Sequence, residues 1–450
     1  MATIFNFKLN PQAGPIYQQL AEYFRQEITL QHIPALTLLP SIRKLMADLK
    51  ISRTTVETAY ELLSAEGYVT SIPGKGFRVE QFLPKPKPTL TQVHTVAKQQ
   101  TVLYNFSNNY IDTKTFDTNL WRRYVNRVLI SPETLAGYGD PQGEYYLRKV
   151  LAKYSYDARG VICKPEQIIV GAGLQSLLDI VLPLLKVKER IAGLEEPGFP
   201  QAEQVLKNFG WQIASFDPES AKKSWVPYLL IISPTNPYKG SSLTPLGKEK
   251  LIAISHCPGH YLIEDDYNGE FRYLATPTPA LHSFGNSNQM LYLGSFSRTM
   301  LPSLRISYLV LPPALLPFYQ TVKKNYNQTS STIEQLALAH YIEDGCLAKH
   351  VKKLRTLYKR KNDLLQQSLH KYFGHHITIL NFTSGLHLHI TLESSLSAAQ
   401  LADKALQAGI KIIPVLGRRT QFPEFLLSFA GIGEKDIDKG IKALKKVFTD

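Results

Sequence analysis

The chain has 450 residues, of which 44% are hydrophobic and 20% are charged, an ordinary composition for a globular protein of two or three domains. Its net charge of +14 permits a nucleic-acid partner, but most of the excess lies after residue 99 and the first 82 residues are nearly neutral. The sequence shows no signal-peptide pattern, no apolar run of about 18 residues and only three scattered cysteines, which argues against a membrane-spanning or disulfide-rich secreted protein. We therefore expect a cytoplasmic protein.

The first eighty residues predict three helices followed by a β-hairpin. Apolar residues recur every four positions between residues 16 and 28, the spacing of an amphipathic helix. Ser41 and Ser52 each precede a further helical pattern and are suited to cap it. Two short β-rich runs flank the turn Pro73-Gly74-Lys75-Gly76, the pattern of a wing. In a helix-turn-helix the last helix enters the major groove, although a plain three-helix bundle with a hairpin fits the same pattern.

Four motifs in this segment resemble the GntR-type winged helix. In order they are Leu39-Pro40-Ser41-Ile42-Arg43, Ser52-Arg53-Thr54-Thr55-Val56, Ala65-Glu66-Gly67-Tyr68 and Gly74-Lys75-Gly76-Phe77. The resemblance implies a double-stranded DNA operator as partner, contacted by Arg43, Ser52, Arg53, Thr54, Thr55, Gly74 and Lys75. Glu57 stands where some members of that family carry a further DNA-contacting arginine, so the affinity or the target sequence is expected to differ.

The remainder of the chain predicts a tether and an α/β region. Residues 83–100 are rich in proline and lysine and lack an apolar period. From residue 101, β-rich runs alternate with helical stretches, which predicts a mostly parallel sheet with ligands at the carboxyl ends of its strands. Long helices prevail after about residue 329. We therefore predict a DNA-binding domain over 1–82, a linker over 83–100, a large domain over 101–328 and a smaller α+β subdomain over 329–450.

The stretch from Gly294 to Tyr308 lies between two predicted strands and combines small hydroxyls with arginines. Hydroxyls, backbone N–H groups and a guanidinium together suit a phosphate. The stretch resembles the cofactor-lysine segment of fold-type I aminotransferases, in which Ser-Lys occupies the positions of Ser297 and Arg298. A guanidinium stays protonated and cannot form the family's Schiff base. The sequence therefore predicts a cradle for pyridoxal 5'-phosphate that lacks the group for its chemistry.

Further motifs of the aminotransferases follow in the family's order. The resemblance assigns these residues to cofactor binding: Gly173, Leu174, Gln175, Phe199, Asn236, Asp265, Tyr267, Ser295, Ser297, Arg298, Arg305 and Tyr138. Asp265 is assigned to the pyridine nitrogen, with Asp266 as a close rival. Tyr138 is expected to reach the phosphate in a neighbouring subunit, which implies a homodimer.

A second departure from the family pattern points, with Arg298, to lost catalysis. Leu426 stands where family enzymes hold the substrate carboxylate with an arginine. Arg418 and Arg419 lie nearby in the sequence and are alternative partners for a carboxylate. Lys239 is an alternative amine for a covalent link, in a loop that the family places over its site.

Two other patterns have no assigned function. His387 and His389 lie two apart on a predicted strand, and without further ligands at suitable positions they predict no metal site. A basic run between Lys349 and Lys361 resembles a basic helix of the regulators. It is typical of a solvated helix face, and an auxiliary DNA contact is the alternative.

Taken whole, the chain resembles the MocR branch of GntR-type transcriptional regulators. The resemblance implies a homodimeric DNA-binding regulator that senses a small-molecule effector. We expect pyridoxal 5'-phosphate or a related phosphorylated compound to bind non-covalently, with no catalytic residue and no enzyme activity. The alternatives are an aminotransferase fused to a winged helix that uses another lysine, and a regulator whose large domain only dimerises.

Overall fold

The computed structural model describes residues 7, 10, 14–81, 101–107, 110–196, 198–220, 226–234, 243–271, 279–284, 288–381, 384–416 and 420–449. The chain forms two compact units, Met1–Lys98 and Gln99–Asp450. The predicted linker over 83–100 lies outside the described residues. Within the described part of the chain, no helix is both long and apolar enough to cross a membrane.

The first unit is a winged helix-turn-helix, as predicted. Its elements are α1 (Ile16–Thr29), α2 (Ile42–Leu49), α3 (Arg53–Ala65), β1 (Val69–Ile72) and β2 (Gly76–Val79). The hydroxyl of Ser41 accepts from the backbone N–H of Lys44 at 3.2 Å, and that of Ser52 accepts from Thr55 at 3.1 Å. These bonds satisfy amides that have no partner inside the helix, so each serine fixes the start of its helix.

The core of the first unit lies where α1 and α3 cross beneath the hairpin. Leu20 and Phe24 of α1 and Val56 and Tyr60 of α3 are fully buried there. The Tyr60 hydroxyl donates to the Pro40 carbonyl at 2.9 Å, which ties α3 to the residues just before α2. The two consecutive helices α2 and α3 are therefore held as one body.

The second unit is an α/β fold followed by a smaller α+β part. Its helices are α4 (Thr118–Leu129), α5 (Tyr145–Arg159), α6 (Leu174–Val181), α7 (Pro200–Asn208), α8 (Pro245–Ser255), α9 (Leu316–Val322), α10 (Thr332–Glu343), α11 (Cys346–Phe373), α12 (Ala398–Gln407) and α13 (Glu434–Thr449). Its strands are β3 (Tyr104–Asn105), β4 (Ile168–Gly171), β5 (Ile191–Leu194), β6 (Gln212–Ser215), β7 (Leu229–Ile232), β8 (Tyr261–Asp265), β9 (Met290–Ser295), β10 (Ser307–Val310), β11 (Ile377–Asn381), β12 (His387–Leu392), β13 (Ile410–Lys411), β14 (Ile413–Pro414) and β15 (Glu424–Ser428).

Seven strands form the large sheet in the order β4-β10-β9-β8-β7-β5-β6. The neighbours from β9 to β6 are parallel, and β10 is antiparallel to both β4 and β9. The sheet is therefore mostly parallel, as predicted. The strands that run with β8 end at one edge, and the segment before β10 returns to that edge.

Helices cover both faces of this sheet. On β7, Leu229 and Ile231 belong to one core cluster, whereas Leu230 and Ile232 belong to another. Alternate residues of a strand point to opposite faces, so a continuous apolar run buries both. The apolar runs in the sequence follow from this layered arrangement.

The C-terminal part has its own core and an antiparallel sheet, β11-β12-β15-β14. The residues of this part do not all follow the predicted boundary between residues 328 and 329. Helix α10 packs in the core of the large sheet, whereas β3 pairs in parallel with β13. Long-range pairing joins segments that are far apart in sequence, and local periodicity carries no sign of it.

Candidate functional site

A cleft of about 560 Å³ opens at the carboxyl edge of the large sheet. Ten of the predicted cofactor residues line it: Gly173, Leu174, Gln175, Phe199, Asp265, Tyr267, Ser295, Ser297, Arg298 and Arg305. They come from the ends of β4, β5, β8 and β9 and from the start of β10. Because parallel strands end at one edge, segments more than 100 residues apart in sequence meet here.

One end of the cleft is suited to an anion. The hydroxyls of Ser295, Ser297 and Ser307 are linked: Ser307 donates to Ser295 at 3.1 Å, and Ser295 donates to Ser297 at 3.2 Å. Helix α6 begins beside them at Leu174, so its first N–H groups and its dipole favour negative charge.

Arg305 is fixed at the same end of the cleft. Its backbone is left-handed, with φ of 53°, and its carbonyl accepts from the Ser330 hydroxyl at 3.1 Å. Its guanidinium donates to the Ala172 carbonyl at 2.6 Å. Gly173 has φ of 115°, and a side chain there would bring its Cβ to 2.7 Å from Arg305 Nη2. The glycine therefore lets the guanidinium lie against the start of α6.

The two neighbouring aspartates, Asp265 and Asp266, have different surroundings. Arg159 Nη2 donates to Asp266 at 3.1 Å and the Tyr292 hydroxyl donates to it at 2.9 Å, so its carboxylate is occupied. Asp265 lines the cleft, is 3% exposed, and its Oδ1 has no hydrogen-bond partner among the described residues. Burial, and then the Asp266 carboxylate, raise the pKa of Asp265 to about 7. This geometry favours Asp265 over its rival as the partner of a cationic ring nitrogen.

The middle of the cleft is aromatic. The rings of Phe199 and Tyr267 meet edge to face, with centroids 5.6 Å apart. Asn236, predicted to act with Tyr267, lies outside the described residues. Gln201 and Ile413 also line the cleft and were not predicted. Ile413 belongs to β14, and no local motif relates it to the site.

Arg298 lies in the cleft, half-buried, close enough to the Tyr358 phenol for electrostatic interaction. No lysine is among the described residues that line this cleft. Leu426 is buried in β15 and does not line it. The alternatives named from the sequence, Lys239 and the pair Arg418 and Arg419, lie outside the described residues.

Tyr138 does not line the cleft of its own chain and is 95% exposed. The basic run in α11 is not a uniformly solvated face. Lys361 is fully buried, forms an ion pair with Asp112 at 2.6 Å and donates to the Ile432 carbonyl at 2.6 Å. Lys361 is therefore not available to DNA, whereas an auxiliary DNA contact by the rest of the run stays a prediction.

The predicted DNA-binding residues cluster at the start of α3 and at the tip of the hairpin. The hydroxyls of Ser52 and Thr54 lie 2.9 Å apart at the exposed first turn of α3. The Arg53 side chain is 73% exposed, and its Nε donates to Glu57 at 2.7 Å. Arg43 lies in the first turn of α2, and Gly74 and Lys75 form the hairpin turn, where Gly74 has φ of 75°. Within this unit, hydroxyls and the Arg53 guanidinium thus lie at the N-terminal turn of the predicted recognition helix.

Two family profiles match consecutive parts of the chain. "Bacterial regulatory proteins, gntR family" matches residues 16–79, and "Aminotransferase class I and II" matches residues 103–444. The Uncharacterized HTH-type transcriptional regulator YdeL of Bacillus subtilis is 34% identical, over 96% of both chains. The "Probable rhizopine catabolism regulatory protein MocR" of Rhizobium meliloti is 30% identical, over 96% of this chain and 94% of its own. The chain belongs to the MocR-type GntR regulators. It is a helix-turn-helix transcriptional regulator with an aminotransferase-like domain.

Other similarities cover a smaller share of this regulator. The "HTH-type pyridoxine biosynthesis transcriptional regulator PdxR" of Corynebacterium glutamicum is 30% identical over 80% of each chain. Among solved structures, a kynurenine aminotransferase of Pyrococcus horikoshii superposes with a TM-score of 0.68 at 21% identity, over 78% of this regulator and 91% of the enzyme. That likeness shows a fold-type I aminotransferase fold, whose family uses pyridoxal phosphate.

Proposed function

We propose that the aminotransferase-like unit of this regulator binds pyridoxal 5'-phosphate, or a related phosphorylated compound, reversibly and without a covalent bond. The proposal rests on one observation: the cleft keeps the residues suited to hold the cofactor but has an arginine in place of the lysine. Asp265, Ser295, Ser297 and Arg305 are retained and brought together, whereas Arg298 stands where the resembling enzymes have their lysine. An always protonated guanidinium cannot act as the amine nucleophile, so the domain senses the ligand rather than transforming it.

Each retained group has a role in holding such a ligand. The serine hydroxyls, the first N–H groups of α6 and the Arg305 guanidinium bind the phosphate. The unpartnered oxygen of Asp265 accepts from the protonated ring nitrogen, which compensates a buried carboxylate. When bound, pyridoxal phosphate supplies an aldehyde and an electron-withdrawing ring. Arg298 can pair with an anionic group of the ligand near that aldehyde.

The test is a calorimetric titration of the full-length protein with pyridoxal 5'-phosphate, followed by borohydride reduction and mass spectrometry. We expect saturable binding and no mass adduct in the wild type. Arg298→Lys should gain a borohydride-stable adduct at position 298, because the other groups of the cradle are in place. An adduct on the wild type would instead support an aminotransferase that uses another lysine, with Lys239 the first to examine. No binding by either protein would refute the assigned cradle.

We propose further that Arg53 reads the operator from the first turn of α3, with Arg43, Ser52, Thr54, Thr55, Gly74 and Lys75 contacting the same DNA. The exposed Arg53 guanidinium beside the N-terminus of the helix supports this assignment. Arg53→Ala should abolish specific binding in a fluorescence anisotropy assay and leave the fold intact. Lys207→Ala, which removes an exposed cation of the second unit, is the matched control. Unchanged operator affinity of Arg53→Ala would contradict the assignment.

The regulator is also proposed to act as a homodimer in the cytoplasm, with Tyr138 of each protomer completing the cleft of its partner. The nearly full exposure of Tyr138 in one chain supports this, because a tyrosine with its ring in water gains from a partner surface. Tyr138→Phe should lower the affinity for pyridoxal 5'-phosphate while sedimentation still shows a dimer. A monomeric wild type, or an unchanged affinity, would refute the shared site.

A further inference from the structure

A second cavity lies in the aminotransferase-like unit, between α5 and the first turns of α11. We name it the α5/α11 pocket; its volume is about 580 Å³, within the range of small-molecule sites. Its walls include Val150 of α5 and Leu347 and Val351 of α11, and Glu270 comes from the loop after β8. The described lining residues of this pocket and of the cofactor cleft have no member in common.

At the base of the pocket lies Glu270, only one of whose two carboxylate oxygens accepts a hydrogen bond from the described residues. The Tyr154 hydroxyl donates to Glu270 Oε1 at 2.8 Å, whereas Glu270 Oε2 is buried without a hydrogen-bond partner among the described residues. Burial, and next the Asp266 carboxylate, raise the pKa of Glu270 above its ordinary value. A buried carboxylate of this kind gains most from a cationic partner that also donates a hydrogen bond.

The rim of the pocket carries charge of the opposite sign. Lys149 and Lys153 lie one turn apart on α5, and Arg355 lies on α11 with its Nε on the Glu270 carbonyl. All three side chains are exposed, and none forms an ion pair with a carboxylate of the described residues. The rim also contains two acids, Asp157 and Glu343, and Glu343 accepts from the Tyr146 hydroxyl. Cations therefore outnumber acids where a ligand would enter.

We propose that the α5/α11 pocket binds a small zwitterion with an apolar body, such as an apolar α-amino acid. Its ammonium group would pair with the Glu270 carboxylate, its carboxylate would face Lys149, Lys153 and Arg355, and its side chain would pack on the apolar wall. One charged group at the base and cations at the rim select a molecule that carries both signs.

The pocket is connected to the cofactor cleft through two short segments. The ring centroids of Tyr154 and Phe296 lie 5.7 Å apart. In the sequence, Phe296 stands between Ser295 and Ser297, which line the cleft. Glu270 follows Tyr267 by three residues in the loop after β8. A ligand on Tyr154 and Glu270 would therefore touch two side chains that adjoin segments of the cleft.

The test is calorimetry on the full-length protein at neutral pH with L-phenylalanine, L-leucine and L-methionine as probes. We expect at least one of them to bind, one per chain. Phenethylamine, which lacks the carboxylate, and N-acetyl-L-phenylalanine, which lacks the ammonium, should bind roughly tenfold or more weakly than L-phenylalanine if that probe binds.

Two variants test the two ends of the site. Glu270→Gln keeps an acceptor for Tyr154 and removes the charge, and Lys153→Ala removes a cation from an exposed position; each should weaken binding roughly tenfold or more. Lys207→Ala removes an exposed cation of α7 that lines neither the pocket nor the cleft, and it should leave the affinity unchanged. Absence of binding by all three amino acids would overturn the proposal. Binding that survives both pocket variants, or that Lys207→Ala removes, would overturn it as well.

Discussion

Replacing Asp265 by asparagine should stabilise the second unit of the ligand-free protein at alkaline pH and have little effect in acid. Burial, and then Asp266, raise the pKa of Asp265 from its ordinary 3.8 to about 7 in the folded chain. The folded state thus holds this proton more tightly than the unfolded state. Stability from the protonated form is complete below the unfolded pKa and is lost as the pH rises through the folded one.

The size of the effect follows from the shift. Each pKa unit corresponds to about 1.4 kcal/mol, so ionised Asp265 costs the ligand-free fold about 4 kcal/mol at pH 8. Between pH 5 and pH 8 this cost grows by about 2 to 3 kcal/mol. Glu264, whose pKa is raised to about 7 by burial and then by Asp266, titrates in both proteins. The difference between wild type and Asp265→Asn therefore isolates Asp265.

The assay is urea unfolding followed by tryptophan fluorescence. All three tryptophans of the chain lie after residue 99, so their emission reports the second unit and not the winged helix. The free energy of unfolding is measured for both proteins at pH 5 and pH 8. A difference that stays constant between the two pH values, or that grows toward acid, would refute the account of Asp265 as a buried, uncompensated carboxylate.

Three further substitutions test other contacts. Arg159→Met removes the buried partner of Asp266 and should destabilise the second unit by about 3 to 5 kcal/mol in the same assay; a loss below about 1 kcal/mol would contradict a buried charge pair. Ser52→Ala removes the cap of α3 and should lower the free energy of unfolding of the first unit by about 1 kcal/mol. The loss should appear as faster amide hydrogen exchange in the first turn of α3, and unchanged exchange would contradict the cap. Gly173→Ala should displace the Arg305 guanidinium and weaken binding of pyridoxal 5'-phosphate. Gly259→Ala, also at a positive φ but in open space, should leave this binding unchanged. Equal affinities of the two variants would argue against a phosphate at this end of the cleft.

Local sequence patterns predicted the helices and strands well, because helix starts and buried strands depend on residues that are close in sequence. A serine before an amphipathic period caps a helix through its own backbone neighbourhood, and both Ser41 and Ser52 do so. Apolar runs marked most strands of the large sheet, since burial on both faces favours apolar side chains along a strand. The order of strands also explains why residues from four strand ends share one cleft.

Contacts between distant segments were not predictable in the same way. The choice between Asp265 and Asp266 depends on Arg159, more than 100 residues earlier in the chain. The burial of Lys361 depends on Asp112, and no periodicity relates the two. Motif resemblance named most of the cleft because it carries long-range information that composition and spacing lack. The α5/α11 pocket has no motif, and it forms only where α5, α11 and the loop after β8 meet.

The short parallel pairing of β3 with β13 joins the first described residues of the second unit to its C-terminal part. Leu103 donates to the Gly409 carbonyl at 2.7 Å and Phe106 to the Lys411 carbonyl at 2.8 Å, with the Phe106 ring fully buried. Ile413, two residues beyond β13, lines the cofactor cleft. Strand β13 and the wall of the cofactor cleft are thus neighbours along the chain, so a substitution that disrupts the β3–β13 pairing acts within about ten ångströms of the cleft.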